Sequence, residues 1–545
     1  RLLDIPSTNP DLLYVGEQGD RPTASLKTDD SAAKGGSDAA SLTLPLNVGG
    51  SSSPISEEDD KKARELVAAF CIDVLTELAI QNRDRLFLLW PHLYETVLRV
   101  IAEPRASEPS MVSVALVERC VVCLLRMGTR LLHRQEVRED VLHGLQLLLK
   151  LRKENLYSMR VIISAGILQI VSAQAPSIQS SSHWTTLISM LLKCKAFEDD
   201  ISADFACQTL EFLVGNDSAW RFMNTENYRL IVLCASKLSQ SSSAKHSVAS
   251  LDILLVLCSR IPFLVDILGE NNQTAGSSPM LTKSDSGNLA RQKQSSGDRF
   301  DDPGRSSSTE LNPSPASSVI HHEQLALSWT MLWEPLLSAF VIVAHDKRGG
   351  IRNYALLLME RVMTSGSEID VLGASELAQA IDSLLLPLLH DVFAIHDRAF
   401  LMKKDIISSR ELEEVGKTQL RVVILLSKVF LQHHARMAAA LDQTEFVGLW
   451  CRVIGAFKNV VDLYRDGKLS SQSSSHSDAS DVTFSQDTVL LEHISETVTN
   501  MVLVLAASGL LKQSQDDVMW CETVKMTQDW LPGLNDMIKV TQGAN

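Results

Sequence analysis

Apolar residues recur at i, i+3, i+4 and i+7 along most of this chain, the period of helices that each bury one face. The first such run follows Ser56 to Asp59, a capping box, and sets Val67, Phe70, Cys71, Val74, Leu75 and Leu78 on one helical side. Further helices are expected at about 84–102, bent near Pro91, and at 110–133, 137–152, 156–174, 183–194, 199–214, 225–239 and 246–268. The run at 110–133 is apolar almost all round, which predicts burial between two layers. A second set covers Glu376 to Phe393, Glu411 to His433, Thr444 to Tyr464, Asp487 to Leu511 and Asp516 to Leu531. No alternating strand pattern competes, so the fold class is all-α.

Two stretches break the period. Residues 1–56 and 270–320 are rich in Ser, Gly, Asp and Thr and nearly free of aliphatic periodicity, the composition of disordered linkers. The expected domains are therefore 57–269 and 321–540, two helical-repeat blocks joined by the Ser-rich segment. Its serines are open to phosphorylation, although such a linker needs none to exist. A shorter insert at 469–481 is expected as a loop on the outside of the second block.

Within that block, Trp333 to Leu358 compresses a helical hairpin into one run. Pro335 suits a first helical turn, with Leu336, Leu337, Phe340, Val341 and Val343 behind it. Asp346 and the Gly349-Gly350 pair then break the period, and Ile351, Ala355, Leu356 and Leu358 open a second helix. The pattern Asp346-x-Arg348-x-x-Ile351-Arg352-x-x-Ala355 resembles the inner turn of a HEAT repeat. That resemblance implies Asp and Arg side chains pairing along the stack and a small Ala permitting close helix approach. Leu386-Pro387-Leu388-Leu389 repeats the Pro-Leu-Leu string of Pro335 at the expected spacing. A HEAT/armadillo-like α-solenoid is the architecture expected.

Charge narrows the partners. The 545 residues carry a formal net charge of −15 and no basic tract, which argues against nucleic acid. No run reads as long and apolar enough to span a bilayer, and the first residues lack signal-peptide character. Nine cysteines without disulfide-scaffold spacing fit a reducing compartment. A chain that opens at Arg1 on a polar lead-in reads as a piece of something larger.

The chemical motifs are few. Cys120-x-x-Cys123 has metal-ligand spacing, but both cysteines share an apolar face with Leu116, Leu124, Met127 and Leu131, and no second Cys or His pair lies at zinc-finger distance. They read as core residues. His321-His322-Glu323 lacks the i, i+4 histidines of a zinc protease, and His345-Asp346 has no nucleophile beside it. No phosphate loop, dinucleotide fingerprint or nucleophile elbow occurs, so no catalytic residue, metal site or cofactor is expected. Arg126, Arg130 and Arg134, with Arg119, lie at helical spacing and form a candidate surface for an acidic partner or lipid headgroup; pairing with Glu118, Glu136 and Glu139 on a solvated face is the plainer reading.

Several strings together resemble one family. Asn82-Arg83-Asp84-Arg85 with Trp90, Leu116-Val117-Glu118-Arg119, Val121-Val122, Leu124-Leu125-Arg126 and Arg130-Leu131-Leu132 resemble the region downstream of the exchange domain in the large Golgi-type Arf guanine-nucleotide exchange factors, the brefeldin-resistance, Gea and GNOM class. Trp333-x-Pro335-Leu336-Leu337, the Asp346 to Leu356 turn and Leu425 to His433 are similar to that class's later downstream homology domains, with Trp184-x-Thr186-Leu187 and Leu449-Trp450 in support. The resemblance covers roughly 60–195 and 325–535.

It implies the C-terminal regulatory portion of such a factor, without the exchange domain and its catalytic glutamate. It also implies cytoplasmic location with peripheral Golgi association, and partners that are proteins: small GTPases and Golgi membrane or coat-associated proteins. The alternative is an unrelated cytosolic HEAT-type scaffold or transport adaptor. An enzyme built on Cys120 or His345 is the least favoured reading.

Overall fold

The computed structural model describes residues 57–102, 114–267, 325–365, 369, 371–402, 409–471, 480–512, 514 and 516–534. The expected linkers at 1–56 and 270–320, the His321-His322-Glu323 run, Ser56 of the capping box and most of the insert at 469–481 lie outside them. Among the described residues every regular element is helical. Contacts divide the chain into two compact units, 1–155 and 156–545.

The first unit holds α1 (Glu57–Gln81), α2 (Leu86–Ala102), α3 (Val114–Leu131) and α4 (Arg138–Gln146). Helix α3 packs against each of the other three, and α1 also meets α2. Pro91 lies inside α2. The α3 helix is less uniformly apolar than its sequence suggests: nine residues from Val117 to Leu131 are buried, while Arg119, Arg126 and Arg130 share the opposite side. Trp90 fixes how closely the elements approach. A Cβ at Gly144 would come within 2.6 Å of the Trp90 ring, so only glycine fits that position.

The short α5 (Lys153–Ser158) precedes a second unit built in two layers. One layer runs through α6 (Arg160–Gln174), α8 (Asp200–Gly215), α11 (Ala244–Cys258), α14 (Gly349–Ser365), α16 (Ser409–Ala440) and α18 (Ser480–Ala507), each packing on the next. The other runs through α7 (Ser181–Lys193), α10 (Thr225–Ser239), α13 (Leu325–Ala344), α15 (from Ala374–Ala380 through Ile381–Leu385 into Leu386–Met402), α17 (Gln443–Ser471) and α19 (Val518–Thr527). Two short helices, α9 (Asp217–Trp220) and α12 (Ile261–Ile267), fill joints between them. Stacked pairs bury what a single pair cannot, which is the logic of a helical-repeat solenoid. The fold class read from the sequence therefore stands.

Contacts divide the chain differently from composition, which placed blocks at 57–269 and 321–540. Here α10 packs directly on α13, and α11 on α14, so both layers continue from 258 to 325 onward. The intervening polar segment interrupts the chain without interrupting the packing.

Two local expectations are adjusted. Pro335 stands in the first turn of the α-helical part Glu334–Ala344, as expected, but that turn is no free helix end: it continues directly from a π-helical stretch, Trp329–Trp333, within α13. Pro387 in α15 follows another, Ile381–Leu385. In each, the N–H just before the proline bonds five residues back, Glu334 to Trp329 and Leu386 to Ile381. The widened turn relieves the clash between a proline ring and the carbonyl four residues earlier. The Pro-Leu-Leu repetition in the sequence is thus a repeated backbone device.

The second correction concerns apolar length. Leu325–Ala344, Ala374–Ala394 and Thr488–Ala507 are long and apolar enough to cross a membrane by length and composition, contrary to the sequence reading. Each packs within the second unit. A helix buried by its own layer and the facing one carries apolar residues on most sides, which gives it that hydropathy.

Candidate functional site

The turn between α13 and α14 gathers three of the five repeat-motif residues, Asp346, Arg348 and Arg352, in one polar cluster. Asp346 accepts from the Arg348 backbone N–H at 2.8 Å, and its two oxygens take Nε at 2.8 Å and Nη2 at 2.7 Å, a bidentate pair. Burial alone would raise the Asp346 pKa, but these Arg348 bonds outweigh it and hold the group below its ordinary 3.8. Arg352 donates from Nη1 to the carbonyls of Asp346 at 2.9 Å and Lys347 at 3.0 Å, closing the turn, and from Nε to Thr418 on α16. Ile351 and Ala355 are buried behind it, facing the core.

Arg348 also reaches the previous helical pair. Its Nη2 donates to Ser247 Oγ at 2.8 Å and to the Ser239 carbonyl at 3.3 Å, and Nη1 to the Ser242 carbonyl at 3.3 Å. Ser239 ends α10, so a cation from the next repeat satisfies carbonyls at that helix's C-terminus. Tyr354 Oη adds a bond to Asp252 at 2.6 Å. The expected pairing along the stack is made here through serines rather than carboxylates. Sequence reading missed these acceptors, because Ser239 to Ser247 registers only as a polar joint.

In the first unit the candidate arginines find partners on another helix than the one expected. Arg126 Nη2 donates to Glu77 at 2.8 Å, Arg134 pairs with Asp84 at 3.0 Å and Arg119 with Asp73 at 3.6 Å. Glu118, Glu136 and Glu139 were the acids expected from sequence neighbourhood. Hydrogen bonds from Gln81 and then Arg126 hold the Glu77 carboxyl below its ordinary range, and the charge of Arg130 adds to this. Arg130 itself is exposed. The row is a cross-helix ladder of acid–arginine pairs, and exposed pairs of this kind contribute about 0–1 kcal/mol each.

Cys120 and Cys123 are buried among Leu124, Leu125 and Met127, and desolvation pushes their thiols up to about 12 and about 11. At neutral pH they are protonated, which suits neither nucleophile nor metal ligand. His345 bonds the Val341 carbonyl through Nδ1 at 2.8 Å, a helix-end contact. Among the described residues no group of three or more His, Cys, Asp or Glu is placed to hold a metal ion.

The site residues thus fall into two places: a turn that ties successive repeats, and a ladder that ties α1 and the turn after it to α3 and the turn after that. Sequence reading also missed which side of α1 is covered. Ile72, Thr76 and Ala79 face inward, whereas Val67, Phe70, Cys71, Val74, Leu75 and Leu78 are open.

Such an architecture defines a helical-repeat region. Residues 333–534 match the family described as the GBF1-like tetratrico peptide repeat region. The chain is 24% identical over 466 residues to the ARF guanine-nucleotide exchange factor GNL1 of Arabidopsis thaliana, covering 84% of this chain and 26% of that protein. It is 23% identical over 479 residues to GNOM of the same plant, covering 86% and 26%. Over 123 residues it is 34% identical to the Golgi-specific brefeldin A-resistance guanine nucleotide exchange factor 1 homolog of Caenorhabditis elegans, covering 22% and 6%. A solved circular tandem repeat protein is matched over 88% of this chain and 98% of its own at a TM-score of 0.22 and 11% identity, which carries no argument. The chain spans about a quarter of the length of its plant relatives. These similarities bear out the family resemblance: residues 333–534 match the GBF1-like region, and most of the chain aligns with about a quarter of two Arf guanine-nucleotide exchange factors.

Proposed function

We propose that this chain is the non-catalytic regulatory and membrane-localisation region of an Arf exchange factor acting in Golgi vesicle-mediated transport. The carrying observation is the similarity along 84% and 86% of the chain to about a quarter of two such factors. The layered helices supply long surfaces for partner segments, and the polar side chains that converge in the turn at Asp346 are spent on holding repeats together. The partners proposed are small GTPases and Golgi membrane or coat-associated proteins, reached from the cytoplasm.

Protein partners are favoured over lipid as the primary anchor. A well-placed Lys or Arg near an anionic surface contributes about 1 kcal/mol, but Arg126 and Arg134 already face Glu77 and Asp84, and the chain carries a net charge of −15. Flotation of the purified chain on Golgi-like liposomes at physiological salt tests this. The chain is expected to remain in the bottom fraction; strong flotation that is lost when Arg126, Arg130 and Arg134 become Glu would make lipid the primary route.

A further inference from the structure

The two π stretches open backbone acceptors on one side of a layer. Glu334 donates its N–H to the Trp329 carbonyl and Leu386 to that of Ile381, so the carbonyls of Thr330 and Asp382 lose the donors a regular helix gives them. The next carbonyls, of Met331 and Ser383, lose theirs because positions 335 and 387 are prolines without an N–H. Thr330, Asp382, Ser383 and Pro387 are exposed, which sets these groups on the outer side of the layer. The Ile381–Leu385 stretch packs against α13 just beyond that helix's own stretch, so the two sets of acceptors are neighbours. Stretches of this kind recur at functional sites.

The side chains add charge of the same sign. Leu325–Ala344 and Ala374–Ala394 contain Glu334, Glu376, Asp382 and Asp391, and no Lys or Arg. Glu376 is buried, whereas Asp382 and Asp391 are exposed. The other layer balances its acids helix by helix: Asp204 on α8 meets Lys245 on α11 at 2.9 Å, and Glu360 on α14 meets Lys428 on α16 at 2.6 Å. Here Arg452 of α17 reaches Asp382 at 2.6 Å, and Asp391 has the imidazole of His345 at 3.8 Å. Open carbonyls favour a cation, as they do at a helix C-terminus. Lipid headgroups and nucleic acid bring anions, so charge complementarity selects a polypeptide. We propose that the outer face of α13 and α15 is a docking surface for a protein segment bearing Lys or Arg, whose side chains donate to the carbonyls opened by the two π stretches. Packed helices lie about 8–10 Å apart. Basic residues three apart in a polyproline II segment share one side and are separated by about 9 Å, so a segment crossing both helices sets one cation at each stretch.

The purified chain is titrated at physiological salt into a fluorescein-labelled peptide of four Arg-Pro-Pro repeats, with anisotropy as the readout. Neither Arf nor membrane is present, so the result is independent of the exchange-factor reading. The expected result is saturable binding that weakens at least about tenfold in the double variant Asp382→Lys, Asp391→Lys, through like-charge repulsion. The double variant Glu492→Lys, Glu496→Lys makes the same charge change at exposed positions on α18 and is expected to weaken binding less than about twofold, since distant charges are screened. Pro387→Ala changes no charge but returns an N–H to the Ser383 carbonyl; it is expected to weaken binding about threefold while the melting temperature holds or rises. Absence of saturable binding overturns the proposal. So does equal weakening by the α18 pair, which makes the attraction a property of the acidic chain as a whole, or indifference to Pro387→Ala, which removes the carbonyls from the contact.

Discussion

Arg348 and Ser247, 101 residues apart in the chain, meet at 2.8 Å between Nη2 and Oγ. The same guanidinium holds Asp346 in two bonds, so one side chain closes its own turn and clamps the helical pair before it.

If that clamp and the α10–α13 and α11–α14 packing hold the unit together, the polar segment between them is dispensable for cohesion. A single engineered protease cut between 268 and 324 should leave two pieces that co-elute on gel filtration. Arg348→Ala should destabilise the unit by about 1–3 kcal/mol, because it leaves a half-buried carboxylate and α10's end carbonyls without a donor. Pieces that separate at once on cutting would mean that the two blocks are independent.

The lowered pKa of Asp346 fixes the sign of a pH effect. A carboxyl whose folded pKa lies below its unfolded value stabilises the fold above the unfolded value, and the contribution is lost as pH falls through the folded one. The stability difference between wild type and Asp346→Asn should therefore be complete above about pH 5, shrink below the ordinary value of 3.8 and vanish at lower pH. Denaturant titrations across that range measure it; a difference that grows on acidification would contradict the Arg348 pairing.

Gly144→Ala drives a methyl group into the Trp90 ring, with 2.6 and 2.9 Å to its nearest carbons. Overpacking of this kind costs about 1–3 kcal/mol. The expected outcome is a lower melting temperature, partly restored by Trp90→Leu, read by thermal denaturation. No change on Gly144→Ala would remove Trp90 from its place in the first unit.

The helices were legible because periodicity is local: α7, α8 and α10 fall within a few residues of their expected bounds. The turn at Asp346 was legible for a similar reason, since Asp and Gly-Gly break a helix wherever it packs. What depends on distant partners was not. Periodicity marks the Val67 to Leu78 face of α1 as apolar, but α1 also has Ile72 and Ala79 on its other side, and only α3 decides which is covered. Arg126 seeks Glu77, 49 residues away, over any acid near it in sequence. Composition at 270–320 indicates a break in periodicity but carries no information on whether α10 and α13 touch. The π segments before Pro335 and Pro387 leave a sequence trace only in the repeated Pro-Leu-Leu.

The central proposal is that this chain is a non-catalytic part of an Arf exchange factor. The direct measurement is release of a fluorescent guanine nucleotide from purified Arf, with and without an excess of this chain. The account predicts release at the spontaneous rate in both. Acceleration that scales with the concentration of the chain would contradict it, because it would place exchange activity within these helices.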